Sequence, residues 1–350
     1  MKKWKKVVGF VLAATMTVGM TAGCGGNADS TAEGGGTTAA TKTIKFSIGE
    51  NEDTFLYESA MKFKEVVEAE SQGTLAVEVY PSGSLGNDRE VLEALQLGQV
   101  EMVAPSPAVL ANFTPEFNFL TFPFVFPSQE VADAVATGDF GKKMLSLCEE
   151  QGFKGLAIAD FGFRHVTNSK HPIETVDDFK GLKIRTMENK VHLDSFRALG
   201  ANPTAMGWSE VFTGLQQGTI DGQENPFTSI YAYKIHEVQP YITETAHVYD
   251  WVVFVMSKTF YDSLTPEEQD LVMRAAEEAR MLCAQSVAED DAAAKDAINA
   301  SGVSAVNEIT PEAREEMEAA VDPVRIQYAK EINLELYEEM MAAVAAEESK

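Results

Sequence analysis

The sequence is short of cysteine, of long apolar runs and of positive charge, and each shortage excludes a class of protein. Three cysteines in 350 residues cannot build the disulfide framework on which small secreted scaffolds depend. Cys148 and Cys283 sit in apolar, helix-like contexts and read as buried free thiols, with their pairing as the lesser alternative. The apolar run from Val7 to Met20 falls short of the ~20 residues that a membrane-spanning helix needs. Lys and Arg number 28 against 54 Asp and Glu, a formal charge of −26, which argues against a basic patch for nucleic acid or anionic lipid. An anionic ligand must therefore be held by a few local cations against the overall field. Catalytic signatures are absent too: there is no G-x-S-x-G elbow, H-E-x-x-H, paired C-x-x-C or phosphate-binding P-loop. The GDFGKK at 138–143 has the wrong glycine spacing and lacks the Ser or Thr. Histidines 165, 171, 192, 236 and 247 show no metal-ligand spacing; His165 and His171 flank a turn-rich segment and read as surface or rim residues. Acidic pairs such as Glu149–Glu150 and Glu315–Glu316 lie in helical runs and read as solvated faces. These absences point away from an enzyme and from any metal or cofactor.

What is present begins with an address. Four lysines in MKKWKK, then a short apolar stretch of small residues, form the first two regions of a secretory signal, residues 1–23. Cleavage after Gly23 would leave Cys24 first, and Ala22-Gly23-Cys24 resembles a bacterial lipobox, with Thr21 where the usual Leu would stand. A diacylated Cys24 carries two buried chains, enough for stable anchoring. Residues 24–42 are rich in Gly, Ser, Thr and Ala with no apolar periodicity, and read as a flexible tether. The expected location is extracytoplasmic, lipid-anchored to the cell membrane. The mature chain would carry 24 basic and 54 acidic residues, a formal −30.

About 310 residues remain, enough for two domains. Alternating strands interleave with amphipathic helices: TIKFSI (43–48), a helical pattern from Asp53 to Glu70, TLAVEVY (74–80), a helix through Val91, Leu92 and Leu95, then EMVA. GLAIAD (155–160), LKIRT (182–186) and TIDG (219–222) continue the rhythm, which predicts α/β layers with largely parallel sheets. Thr265-Pro266-Glu267-Glu268 is a capping box with Pro at the first helical position. The helix it opens runs to about Ala300 and stops before Gly302, roughly 50 Å at ~1.5 Å per residue. A break around Asp290 into two helices is the alternative.

The segment from 161 to 227 carries the chemistry. Alternation in LKIRT places Leu182 and Ile184 on one side, Lys183 and Arg185 on the other. Arg185 stands at the strand's end, where open α/β sheets present ligand contacts, and a guanidinium fork is the side chain best suited to a carboxylate.

This segment, densest in GLKIR…LGANPTAM…EVFTGLQQGTIDGQENP, resembles the substrate-binding subunit of tripartite ATP-independent periplasmic (TRAP) transporters, over essentially the whole mature chain. The resemblance implies a two-lobed periplasmic-binding-protein-like α/β fold, with a long helix spanning both lobes and closure around ligand. It implies a first lobe of 43–162 with 250–290 and a second of 163–249 with 291–350. It assigns the ligand carboxylate to Arg185, a second cleft arginine to Arg164 in RHVTNS, a hydrogen bond to Asn225 in DGQENP and an aromatic wall to Trp208. Asp88, Arg89 and Ser106 match first-lobe positions near the ligand. Trp208 as core and Asp88 as helix N-cap are the bland alternatives. APSPA, with Pro105, departs from sialic-acid-binding members, while LANFTPEF, GFRHVTNSKHPI and TMEN resemble members that bind sugar acids such as uronates or aldonates. The implied protein is a monomeric receptor that hands a small carboxylate to TRAP membrane subunits. C4-dicarboxylates or 2-oxo acids as ligand, and service to an ABC importer, are the alternatives.

Overall fold

The computed structural model describes residues 41–350; the expected signal peptide, Cys24 and the tether up to residue 40 lie outside the described residues. The chain opens with β1 (Lys42–Ile48), α1 (Phe55–Glu70), β2 (Leu75–Tyr80), α2 (Asp88–Gln96), β3 (Met102–Ala104) and the short α3 (Pro107–Leu110). It continues through α4 (Gln129–Thr137), α5 (Asp139–Leu147), β4 (Phe153–Asn168), β5 (Arg185–Thr186), α6 (Lys190–Ala198), β6 (Thr204–Ala205) and α7 (Trp208–Gln217). There follow β7 (Gly222–Asn225), α8 (Phe227–Ala232), β8 (Tyr241–Ser257), α9 (Lys258–Asp262), α10 (Pro266–Ser301), β9 (Ala305–Glu308), α11 (Pro311–Ile332) and α12 (Leu334–Glu348).

Alternation in β1 turns Ile44, Phe46 and Ile48 to one face, where all three are wholly buried. β1 pairs in parallel with β2 and β3, as the βαβα rhythm requires. The expectation of largely parallel sheets does not extend further. β3–β8, β8–β4 and β4–β7 are all antiparallel, and the main sheet is mixed, in the order β2-β1-β3-β8-β4-β7 with β9 beside β8. The reason is length: β4 has 16 residues and β8 has 17, so these two strands run as a pair from one half of the molecule into the other. GLAIAD is thus the first part of a longer strand. TIDG ends where β7 begins, and only Arg185–Thr186 of LKIRT is strand, paired in parallel with β6.

Apolar side chains collect in four clusters, two in each half. One half buries α1 and the first part of α10 on one sheet face (Phe63, Val272, Cys283) and α4, α5 and α12 on the other (Val135, Met144, Met340). The other half packs α6 and α11 around Phe196 and Met317, and α7 and α8 around Val211 and Ile230. α10 contributes Leu271 through Val287 to the first half and Ala294 and Ile298 to the second. It is one unbroken helix of 36 residues, about 54 Å long. Its capping box forms as the motif requires: Glu268 N donates to Thr265 Oγ1 at 3.2 Å and Thr265 N to Glu268 Oε2 at 2.9 Å. Cys148 and Cys283 are buried and free, and burial pushes both thiols up to about 12.

Candidate functional site

The C-terminal ends of β1, β3, β5 and β7 face one cavity of about 190 Å³ between the two halves, the position where open α/β sheets offer ligand contacts. Arg185 reaches it because alternation sends Leu182 and Ile184 into the cluster around Phe196 and leaves Arg185 on the opposite side. The guanidinium is 3% exposed. Its Nε donates to the Met206 carbonyl at 2.9 Å, and its carbon lies 5.5 Å from the Trp208 ring centroid. Among the described residues no carboxylate forms a salt bridge with it, and burial lowers its pKa to about 10. A desolvated cation without a counter-ion carries an energetic cost that an anion would relieve.

Arg164 is a different arginine. It is wholly buried on β4 and committed to protein carboxylates: Nε and Nη2 grip Glu224 of β7, Nη2 also donates to the Glu224 carbonyl, and Nη1 donates to Asp250 of β8 at 2.7 Å. Burial would depress Arg164, but Glu224 and Asp250 override it and hold it above its ordinary value. Burial likewise favours a neutral Glu224, yet Arg164 and His247 hold that carboxylate well below the usual range. His247 Nε2 stands 3.3 Å from Glu224. Arg164 lines the cavity, but nearly all its donors serve this cluster, which fixes β4, β7 and β8 together.

Asn225 closes β7, and its Nδ2 donates to Gln223 Oε1 at 2.6 Å. Trp208, the first residue of α7, packs edge-on to Tyr233 with centroids 4.9 Å apart, and its Nε1 is buried without a partner. It is a cavity wall that also packs against the cluster around Val211 and Ile230. Ser106 caps α3 by accepting from Ala108 N at 3.2 Å, donates to Asp250 Oδ1 at 3.2 Å, and offers its backbone N–H to Asp88 Oδ2 at 3.2 Å. Asp88 is not the N-cap of α2, since Asn87 fills that role in a capping box with Glu90. Its carboxyl therefore faces the cavity, where burial pushes it up to about 6.

Six of the seven residues singled out from sequence line this one cavity; Arg89 does not. It is exposed and pairs with Glu93 at 3.4 Å one turn along the helix, because successive helix positions point about 100° apart. Sequence reasoning missed Glu50, just beyond β1. It is 7% exposed, accepts from Ser229 Oγ at 3.3 Å, and is driven by burial up to about 7. It also missed Glu224 and Asp250; a lone acid inside the apolar run YDWVVF was the available signal for the latter. His165, expected at the rim, is buried against Phe227 with centroids 4.6 Å apart, and burial lowers it to about 3. No three His, Cys, Asp or Glu side chains among the described residues converge in metal-binding geometry.

Comparison with known proteins gives this geometry a setting. The family model for bacterial extracellular solute-binding protein, family 7, matches residues 46–331. The C4-dicarboxylate-binding periplasmic protein DctP of Rhodobacter capsulatus is 36% identical over 306 residues, spanning 86% of this chain and 91% of that protein. The sugar acid binding protein DctPAm of Advenella mimigardefordensis, solved with galactonate, superposes with a TM-score of 0.85 at 35% identity, covering 88% of this chain and 99% of that one. A TRAP periplasmic solute-binding protein of Polaromonas sp. JS666, solved with D-erythronate, gives a TM-score of 0.82 at 36% identity over 86% and 98% of the two chains.

Proposed function

The chain belongs to bacterial extracellular solute-binding protein family 7 and is a solute receptor of the TRAP type rather than an enzyme; from that premise we propose that its ligand is a sugar acid. The observation that carries this reading is Arg185, a buried guanidinium with no salt-bridged carboxylate among the described residues, facing the cavity. One ligand carboxylate pairs with the Arg185 fork. Asp88, Asn225 and Ser106 meet ligand hydroxyls, and Trp208 covers an apolar ring or chain face. Arg164 acts through Glu224 and Asp250 as a positioning residue.

The galactonate and D-erythronate complexes of the two structural relatives support the sugar-acid choice. The R. capsulatus relative's name favours a C4-dicarboxylate instead, but a second ligand carboxylate would find no second unpaired cation among the described cavity residues and would lie near Asp88 and Glu50. Delivery to TRAP membrane subunits, anchoring through a lipidated Cys24 after removal of residues 1–23, and a monomeric state belong to the same proposal.

The test is a thermal-shift and calorimetry panel. Galactonate, gluconate, galacturonate or glucuronate should stabilise the protein, by ~2.7 kcal/mol at 100 times Kd. Stabilisation by succinate or malate alone would overturn the ligand choice and leave the receptor assignment standing.

A further inference from the structure

The walls of the cavity hold more negative charge than a receptor for anions should tolerate. Among the described residues, Arg164 and Arg185 face four carboxyls in the lining, Glu50, Asp88, Glu188 and Asp250, with Glu224 directly behind Arg164. Arg164 is consumed by Glu224 and Asp250. Arg185 alone is left to balance Glu50, Asp88 and Glu188 before any ligand enters. An anion added to this set raises the local imbalance by one more unit inside a medium that screens poorly. A proton taken up with the anion removes the conflict.

The geometry points to Glu50 as the seat of that proton: we propose that the ligand anion and a proton bind together, with protonated Glu50 donating to a ligand hydroxyl. This rests on the sugar-acid reading above and deepens it. Glu50 sits on the loop after β1, buried, with Oε1 accepting from Ser229 of α8 and Oε2 without a hydrogen-bond partner among the described residues. The groups that face it are Ser229 and Tyr233 at α8, Asp88 on α2 and Arg164 on β4. Of these only Arg164 is a cation, and it is already paired. Asp88 in turn faces Asp250 of β8, Arg185 of β5, Glu188 and the Ser106 N–H. Burial already brings Glu50 to about 7 and Asp88 to about 6. A neighbouring anion raises a carboxyl further, so Glu50 gains a proton on binding near neutral pH. As an acid it becomes a hydrogen-bond donor to a ligand hydroxyl, a role a carboxylate cannot fill.

Calorimetry of the whole chain with galactonate at pH 7.5, in buffers of different ionisation enthalpy, reads the proton directly. The observed heat should vary linearly with buffer enthalpy, with net uptake of a sizeable fraction of one proton. Affinity should fall on raising the pH from 7 to 8.5, by up to ~10-fold per unit. Glu50→Gln keeps the shape and the donor of the protonated acid: uptake should drop sharply and the pH slope flatten. Asp88→Asn should retain most of the uptake. Galactonate binding with a buffer-independent heat would overturn this inference alone. Tight succinate binding without galactonate binding would overturn it together with the sugar-acid reading, since succinate has no hydroxyl for Glu50 to meet.

Discussion

Two arginines in one cavity are chemically alike and energetically opposite. Arg164 is surrounded by the carboxylates it neutralises, whereas Arg185 is buried with no salt bridge among the described residues. Arg164→Met should strand Glu224 and Asp250 in the interior and cost about 3–5 kcal/mol of stability, measured by denaturant unfolding. Arg185→Ala breaks no salt bridge among the described residues and removes a cation whose pKa folding lowers to about 10, although Asp88 loses the cation opposite it. The unliganded variant should therefore be at least as stable as the parent, while ligand affinity falls by about 2–5 kcal/mol. Arg185→Lys should lose less, keeping the charge but not the fork. Undiminished affinity in Arg185→Ala would refute the carboxylate role. Residues whose position follows from strand alternation, above all Arg185, were legible in LKIRT. Glu50 and Glu224 were not, because their meaning comes from what lies across the cavity, and an acid in a chain with 54 of them carries no local mark unless, like Asp250, it stands alone in an apolar run.

At the scale of elements, the long helix was readable from its own ends, since capping boxes and a left-handed Gly302 are local signals. The crossing pair β4 and β8 was not, because strand length beyond the alternating core depends on partners far along the chain. Where α10 passes behind that pair, β4 carries Gly162 at φ +109, at a register shift against β8. A Cβ there would lie 3.1 Å from Val287 Cγ2 of α10. Both the backbone and the close approach demand glycine. Gly162→Ala should cost about 1–3 kcal/mol by chemical denaturation. Trimming Val287 to Ala in the same chain should not restore the parent value, since the positive φ remains. The crossing helix also holds the site in place: Asp291 on α10 accepts from Thr228 N at 3.1 Å at the start of α8, directly after the strand that ends in Asn225.

For the whole molecule, we propose two lobes that close on the ligand, divided near 162 and 250 as the resemblance implies, with one reassignment. α12 packs Leu336, Met340 and Val344 into the cluster around α4 and α5, so 334–348 travels with the first lobe. Contacts already bridge the mouth: Asn87 Oδ1 accepts from Ser209 N at 3.2 Å, and Asn112 Nδ2 donates to the Glu188 carbonyl at 2.7 Å. Asn112 does not line the cavity and is exposed, so its bond acts on the closure equilibrium rather than on ligand. A contact made in one conformation alone changes apparent affinity by its own differential free energy. One exposed hydrogen bond is worth about 0.5–1.5 kcal/mol, so Asn112→Ala should weaken sugar-acid binding by ~2–10-fold in calorimetry. Melting of the ligand-free protein should stay put. Small-angle scattering supplies the independent arm: ligand should reduce the radius of gyration of the parent, and the variant should need more ligand to reach the same compaction. Equal affinities with a ligand-independent radius would mean that the mouth does not open, and the two-lobe closure would have to be abandoned.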